Sequence, residues 1–324
     1  MIFEDLPTTP RSSELLDKAF SRAARTGRAK GGLEAQQSML TTAVNILSDN
    51  LQNVVTAWPD FDEVDPFYYE LADAIVDVDE LRQSLSEATW ASRQIRTIGE
   101  EYGEKLRRTD LETARKHRKQ AFARMADIVE EIEGDLELIG QARDDLKTLP
   151  DIRPDEPAIV VAGYPNVGKS SFVNAVTRAS NEIAGYPFTT RAIQIGHFER
   201  RHIRYQIVDT PGLLDRPDHE RNDIERQAVS ALEHLADVVL FLVDASGDCG
   251  YPIDVQLELR DATEERFGSR DVPVFTVCNK ADRSRAVDAD RYMSVTENEG
   301  VEAVLDMAVD AIGFEPDLPS REEA

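Results

Sequence analysis

The chain has 324 residues, 41% hydrophobic and 31% charged, enough to bury two cores of ordinary size. Its 62 acidic residues against 37 Lys and Arg give a net charge of −25, a balance that by itself argues against a nucleic-acid partner and leaves no expectation of DNA binding. No basic-then-apolar leader and no apolar run of about 18 residues occurs, which argues against export and a spanning helix and predicts a cytoplasmic protein with no membrane partner.

Only 8 of the cations are Lys and 29 are Arg. Scarce Lys with abundant acid predicts a halophilic protein, so the acidity reports habitat more than partner. Cys249 and Cys278 offer neither a disulfide framework nor metal-ligand spacing.

Residues 1–150 carry long helical periodicities and no strand pattern. Thr9 with Pro10 predicts the cap and first position of a helix running through Leu15, Leu16, Ala19 and Phe20. A second is expected over residues 33–58, with Leu40, Val44, Leu47, Leu51 and Val54 on one stripe. Pro66 opens a third, expected to continue through Trp90 to about residue 108. Asp110 caps a fourth, whose stripe is Ala121, Met125, Ile128, Ile132, Leu136 and Ile139. Four such helices predict an antiparallel bundle. Residues 151–157, with Pro154 and Pro157 among charges, read as a linker.

From residue 158 to 315 strands and helices alternate, and residues 316–324 read as a polar tail. Apolar runs at 158–162, 193–198, 203–208, 238–243, 272–278 and, weakly, 292–295 predict six strands. Helical stretches are expected at 171–178, 222–235, 255–267 and 301–312. The alternation predicts an α/β fold, a mostly parallel six-stranded sheet whose second and third runs form an antiparallel hairpin at one edge.

Gly163-Tyr164-Pro165-Asn166-Val167-Gly168-Lys169-Ser170 follows the first strand and fits the phosphate-loop pattern, with Ser171 next in the helix. Backbone N–H groups of such a loop, at a helix N-terminus, cradle phosphates. Asp209-Thr210-Pro211-Gly212 ends another strand, where Asp209 suits a Mg²⁺ shell and Gly212 can approach a γ-phosphate. Asn279-Lys280-Ala281-Asp282 follows the 272–278 run. There Asp282 can accept from the ring and exocyclic N–H groups of guanine, while Lys280 packs along the base. Adenine presents the opposite pattern, so GTP and GDP are expected and ATP is not. Ser294, Val295 and Thr296 fall where a last loop would meet the base. Phe188, Thr189 and Thr190 lie where a mobile loop can bring a Thr hydroxyl to Mg²⁺. Either Thr satisfies the spacing.

Together these motifs resemble the Obg-like branch of translation-associated GTPases. Leu214-Asp215-Arg216-Pro217, the segment 221–232 and the helical N-terminal region resemble the nucleolar GTP-binding protein family more narrowly, in a short archaeal form. The resemblance implies that Lys169 holds β- and γ-phosphates, that Ser170 and Thr190 ligate Mg²⁺ and that Asp209 orients a metal-bound water. It also implies Lys169, Thr190 and Gly212 as the catalytic set, and the large ribosomal subunit or its rRNA precursor as partner. A protein-binding switch with no ribosome role and a dimerising bundle remain open alternatives.

Leu213 stands where Ras-like enzymes place the Gln that orients water, so slow hydrolysis is expected. The resemblance to GTPases with this Pro-Asn-Val-Gly-Lys loop implies Asn166 as a K⁺ ligand in place of an arginine finger; a role for Asn166 in shaping the loop alone is the open alternative. Arg191, Arg216 and Arg221 are expected to be solvated or partner-facing. Against the acidic background, residues 11–30 balance at +4 and residues 91–124 at +5, densest from Arg115 to Lys119. These read as candidate RNA phosphate contacts.

Overall fold

A computed structural model describes the chain except residues 1, 4, 148, 150–151, 178–180, 185–192, 211–213, 217, 222 and 315–324. The chain divides into two compact units, one formed by residues 2–63 and 75–147, the other by residues 64–74 and 148–324.

The helical unit contains α1 (Ser12–Arg28), α2 (Gly32–Thr56), α4 (Val78–Arg107), α5 (Leu111–Glu131) and α6 (Glu133–Leu146). The predicted stripes form its core: Leu15 and Ala19, Leu47 and Leu51, Ile95, Met125 and Leu136 are all buried together. Three expectations need correction. The first helix starts at Ser12, because the Glu14 carboxylate accepts the Arg11 N–H at 3.1 Å and fixes the first turn there, beyond Thr9 and Pro10. The expected third helix is two, α3 (Pro66–Ile75) and α4, divided where Asp77 turns extended and its side chain accepts the Glu80 N–H at 2.9 Å. The fourth breaks at Ile132 (φ −95°, ψ 17°), although the apolar stripe continues into α6. Asp110 caps α5 as expected, accepting from the Glu112 and Thr113 N–H groups.

In the second unit, β1 (Ala158–Ala162), β2 (Asn181–Ala184), β3 (Ile193–Arg200), β4 (Ile203–Asp209), β5 (Val238–Asp244), β6 (Val274–Asn279) and β7 (Arg291–Tyr292) form one sheet ordered β2-β3-β4-β1-β5-β6-β7. Strands β4, β1, β5, β6 and β7 run parallel, and β3 pairs antiparallel with β4, as the α/β pattern predicted. The described sheet adds β2, a short strand antiparallel to β3, so β3 is next to the edge and the strands number seven. The helices are α7 (Lys169–Thr177), α8 (Asp223–Leu235), α9 (Ile253–Gly268) and α10 (Val301–Ile312). Strands β1 and β5 are buried along their whole length, which their uniformly apolar sequences require of central parallel strands. Their C-terminal ends, with those of β4 and β6, put the loops of the motifs along one edge.

Candidate functional site

The phosphate loop joins β1 to α7. Its two glycines are demanded by close approach: at Gly163 (φ 129°) a Cβ would stand 2.3 Å from the Leu242 carbonyl oxygen, and at Gly168 (φ 106°) 2.2 Å from Asn279 Nδ2. Asn166 adopts φ 64°, the left-handed region that Asn tolerates. Lys169 is buried, and its ammonium donates to the Gly163 and Tyr164 carbonyls at 2.6 and 3.0 Å. That holds the cation against the loop at the N-terminus of α7, where phosphate oxygens would be met by N–H groups and charge together. Tyr164 and Val167 are buried in the loop's base, Pro165 is half-buried, and Ser171 is exposed at the cleft.

Asp209 ends β4, fully buried, with its Oδ2 accepting from the Ser170 hydroxyl. Among the described residues its Oδ1 is buried with no hydrogen-bond partner. Burial pushes the Asp209 carboxyl above its ordinary range, against the pull of Ser170 and Lys169. Two hard oxygens side by side, one of them orphaned, fit a divalent cation. The Thr210 hydroxyl is spent elsewhere: it donates to the Val161 carbonyl at 3.0 Å, so Thr210 braces β1 and does not offer its side chain to a ligand. Phe188, Thr189, Thr190, Pro211 and Gly212 lie outside the described residues, as do Arg191 and Leu213.

At the far end of the cleft, the Asn279 amide donates to the Val167 carbonyl at 2.8 Å and its Oδ1 accepts the Val295 N–H at 3.3 Å. One side chain thus ties the base-reading loop to the phosphate loop and to the 294–296 loop. Val295 and Thr296 line a cleft of about 270 Å³ with Asn166, Lys280 and Asp282. Ser294 departs from expectation. It is buried in a bridge with Glu299, and its hydroxyl accepts the Glu297 N–H at 3.3 Å, so its side chain supports the loop.

Sequence reasoning missed Asp244 and Asp248. Asp244 is fully buried and holds the Lys280 ammonium at 2.6 Å, while Asp248 lines the cleft. An acid directly after the β5 apolar run, on the same sheet edge as the other motifs, was the available signal. Arg221 is buried and Arg216 is half-buried, so solvation holds at most for Arg216. Arg216 pairs with Glu225 at 2.6 Å, and the buried Arg221 donates to the Arg216 carbonyl at 2.7 Å. In the helical unit Arg118 is likewise engaged, donating to Gln36 at 2.8 Å and lying 5.0 Å over the Phe122 ring.

A phosphate loop after β1, a buried Asp at the end of β4 and an Asn-Lys-x-Asp loop after β6, all on one edge of a mostly parallel sheet, define a P-loop GTPase carrying a helical domain before it. A family model described as the NOG1 N-terminal helical domain matches residues 3–153, and one described as 50S ribosome-binding GTPase matches residues 158–280. An uncharacterised protein of Methanocaldococcus jannaschii is 37% identical over 290 residues, covering 86% of this chain and 81% of that protein. Nucleolar GTP-binding protein 1 of Saccharomyces cerevisiae is 31% identical over 314 residues, covering 93% of this chain and 48% of the yeast protein. A crystal structure of a candidate nucleolar GTP-binding protein 1 from Plasmodium falciparum is 33% identical, with 51% of this chain and 90% of that chain covered and a TM-score of 0.46. The chain belongs to the nucleolar GTP-binding protein family. It spans under half the length of curated eukaryotic relatives such as the yeast protein. No described helix is long and apolar enough to cross a membrane.

Proposed function

We propose that this protein is a cytoplasmic, slowly hydrolysing GTP switch in assembly of the large ribosomal subunit. The observation that carries the ribosome reading is electrostatic. The two basic segments expected from the sequence meet in the helical unit, where Phe20 of α1 stacks on Phe122 of α5 at 4.6 Å. Arg22, Arg25, Arg115 and Lys119 are exposed on these helices and carry no ion pair among the described residues. Within a chain of net charge −25, such a surface suits RNA phosphates. The names of the relatives and the description of the matched GTPase family favour the ribosome over a lone protein partner.

In the nucleotide cleft, Lys169 would bind the β- and γ-phosphates and the loop N–H groups their oxygens. Asp282 would accept from guanine, with Lys280 along the base and Val295 and Thr296 at its edge. Ser170, Asp209 and Thr190 would hold Mg²⁺, which neutralises charge on the β- and γ-phosphates when bound. Gly212 would sense the γ-phosphate. Leu213 cannot hydrogen-bond water, so turnover is slow without help. Asn166, exposed at the cleft, is the residue to hold K⁺; equal turnover in KCl and NaCl would remove it from that role.

The test is sedimentation with 50S particles in high KCl, comparing a non-hydrolysable GTP analogue, GDP and no nucleotide. Tighter binding with the analogue is expected. Reversing Arg22, Arg25, Arg115 and Lys119 to Glu should abolish association and leave GDP affinity intact. Absence of binding in every state would move the protein-partner switch to first place.

A further inference from the structure

The loop after β5 sets one acid against each cation that flanks Asp282 in the chain. Asp244 accepts the Ser246 N–H at 2.8 Å, the Cys249 N–H at 2.9 Å and the Lys280 ammonium at 2.6 Å. Burial works against its charge, but Lys280 and Ser246 hold its carboxyl below the usual range, so it is an anion at neutral pH. Gln256 of α9, fully buried, locks this turn: its Oε1 accepts the Asp244 N–H at 2.8 Å, and its Nε2 donates to the Asp244 and Tyr251 carbonyls at 3.1 and 2.8 Å. Four residues beyond Asp244, Asp248 pairs with the Arg283 guanidinium. The loop also reaches the phosphate loop, where the Tyr251 and Tyr164 rings pack with centroids 4.4 Å apart.

Lys280 and Arg283 flank Asp282 in the chain, and Arg283 spans two acids: its Nη1 meets Asp248, while its Nε stays 3.9 Å from Asp282 Oδ2, the outer limit of an ion pair. A guanidinium fork drawn onto a carboxylate occupies the lone pairs that would receive neutral N–H donors. We infer that Asp244 and Asp248 are specificity-determining positioning residues: they keep Lys280 and the Arg283 fork from closing fully on Asp282, leaving its carboxylate able to accept the two N–H donors on one edge of guanine, a role that rests on the guanine site proposed above. Asp248 is the informative partner. Its side chain is 41% exposed, so its substitution spares the core.

The experiment uses the full chain with fluorescent GDP and fluorescent IDP, which lacks the exocyclic amino group. D248N and D244N should each lower GDP affinity about tenfold, the scale of one charge-assisted hydrogen bond. IDP affinity should fall less, so the preference for GDP shrinks. In an R283A background, D248N should change GDP affinity by less than about twofold, because the cation it restrains is gone. Equal losses for GDP and IDP, no loss in D248N, or an undiminished D248N loss without Arg283 would each overturn the inference. Should D244N fail to fold, D248N and its R283A cycle decide. Wild-type protein that binds neither nucleotide would overturn the guanine reading and this inference with it.

Discussion

Replacing Gly168 by Ala tests the tie between the two nucleotide loops. At φ 106° an L-residue is strained, by about 1–3 kcal/mol for a sparsely populated backbone region. The new Cβ would also stand 2.2 Å from Asn279 Nδ2, so the amide must leave and its 2.8 Å bond to the Val167 carbonyl is lost. That adds about 1 kcal/mol for a buried hydrogen bond. The sum, about 2–4 kcal/mol, corresponds to roughly 4–16 °C in the melting temperature of a unit this size. Gly313 provides the control, since it has φ 55° with nothing within 4 Å of a Cβ. Gly313→Ala should cost only the strain of a left-handed residue, about 1–2 kcal/mol. The assay is thermal unfolding of the nucleotide-free protein by circular dichroism, followed by GDP titration. Gly168→Ala should melt well below Gly313→Ala and lose nucleotide affinity. If the two variants melted within about 2 °C of each other and bound GDP alike, the close-approach reasoning would be wrong.

Asp209→Asn should change the pH dependence of the nucleotide-free protein. Because burial raises the Asp209 carboxyl, the folded state holds its proton more tightly than the unfolded state, and stability falls as pH rises from about 3.9 through the folded value. Asn removes that decline and should also weaken Mg²⁺-dependent GTP affinity; identical melting-temperature slopes for both proteins would contradict the burial argument. Gln206→Ala should cost about 2–4 kcal/mol in urea unfolding, because three part-buried hydrogen bonds of its amide, to the Arg153 N–H and to the Arg153 and Glu156 carbonyls, are lost together. A loss below about 0.5 kcal/mol would mean these groups find other partners.

The nucleotide cleft was legible because each of its parts is contiguous. Gly163 to Ser170 and Asn279 to Asp282 are short loops whose chemistry is complete in a few residues, and the apolar runs before them are buried strands. Features set by pairing across the chain were not legible. Strand β2 holds only Ile183 as a strong strand former, and its pairing with β3 defines it. Ser294 and Thr296 have similar side chains, yet the bridge to Glu299 buries one and leaves the other at the cleft. The helix break at Asp77 carries its own cap signal, with Glu80 three residues on. The apolar spacing of Ile75, Val78, Leu81 and Leu85 runs straight through it and masks it. Asp244 stands just past the apolar β5 run and outside any contiguous motif, so nothing in its local sequence marks its pairing with Lys280.

The linker shows what composition alone leaves unsaid about a short connecting segment. Prolines and charges between residues 149 and 157 read as a linker, since Pro154 and Pro157 lack the N–H that a ladder needs. The same lack leaves carbonyls that must find donors from elsewhere. Gln206, fully buried on β4, is suited to them because one amide both donates and accepts: it takes the Arg153 N–H at 2.9 Å and gives to the Arg153 and Glu156 carbonyls at 2.6 and 3.1 Å. Its backbone N–H closes the Pro157 carbonyl at 2.9 Å. The Tyr68 hydroxyl of α3 donates to the Ile152 carbonyl, which fastens residues 64–74 to the GTPase unit although they lie far upstream of it. Residues 152–157 are therefore part of the sheet's support, bonded to the strand that ends at Asp209. A Gln fifty-three positions away from Arg153 carries no mark of that duty in its own neighbourhood, so only the folded chain reveals it.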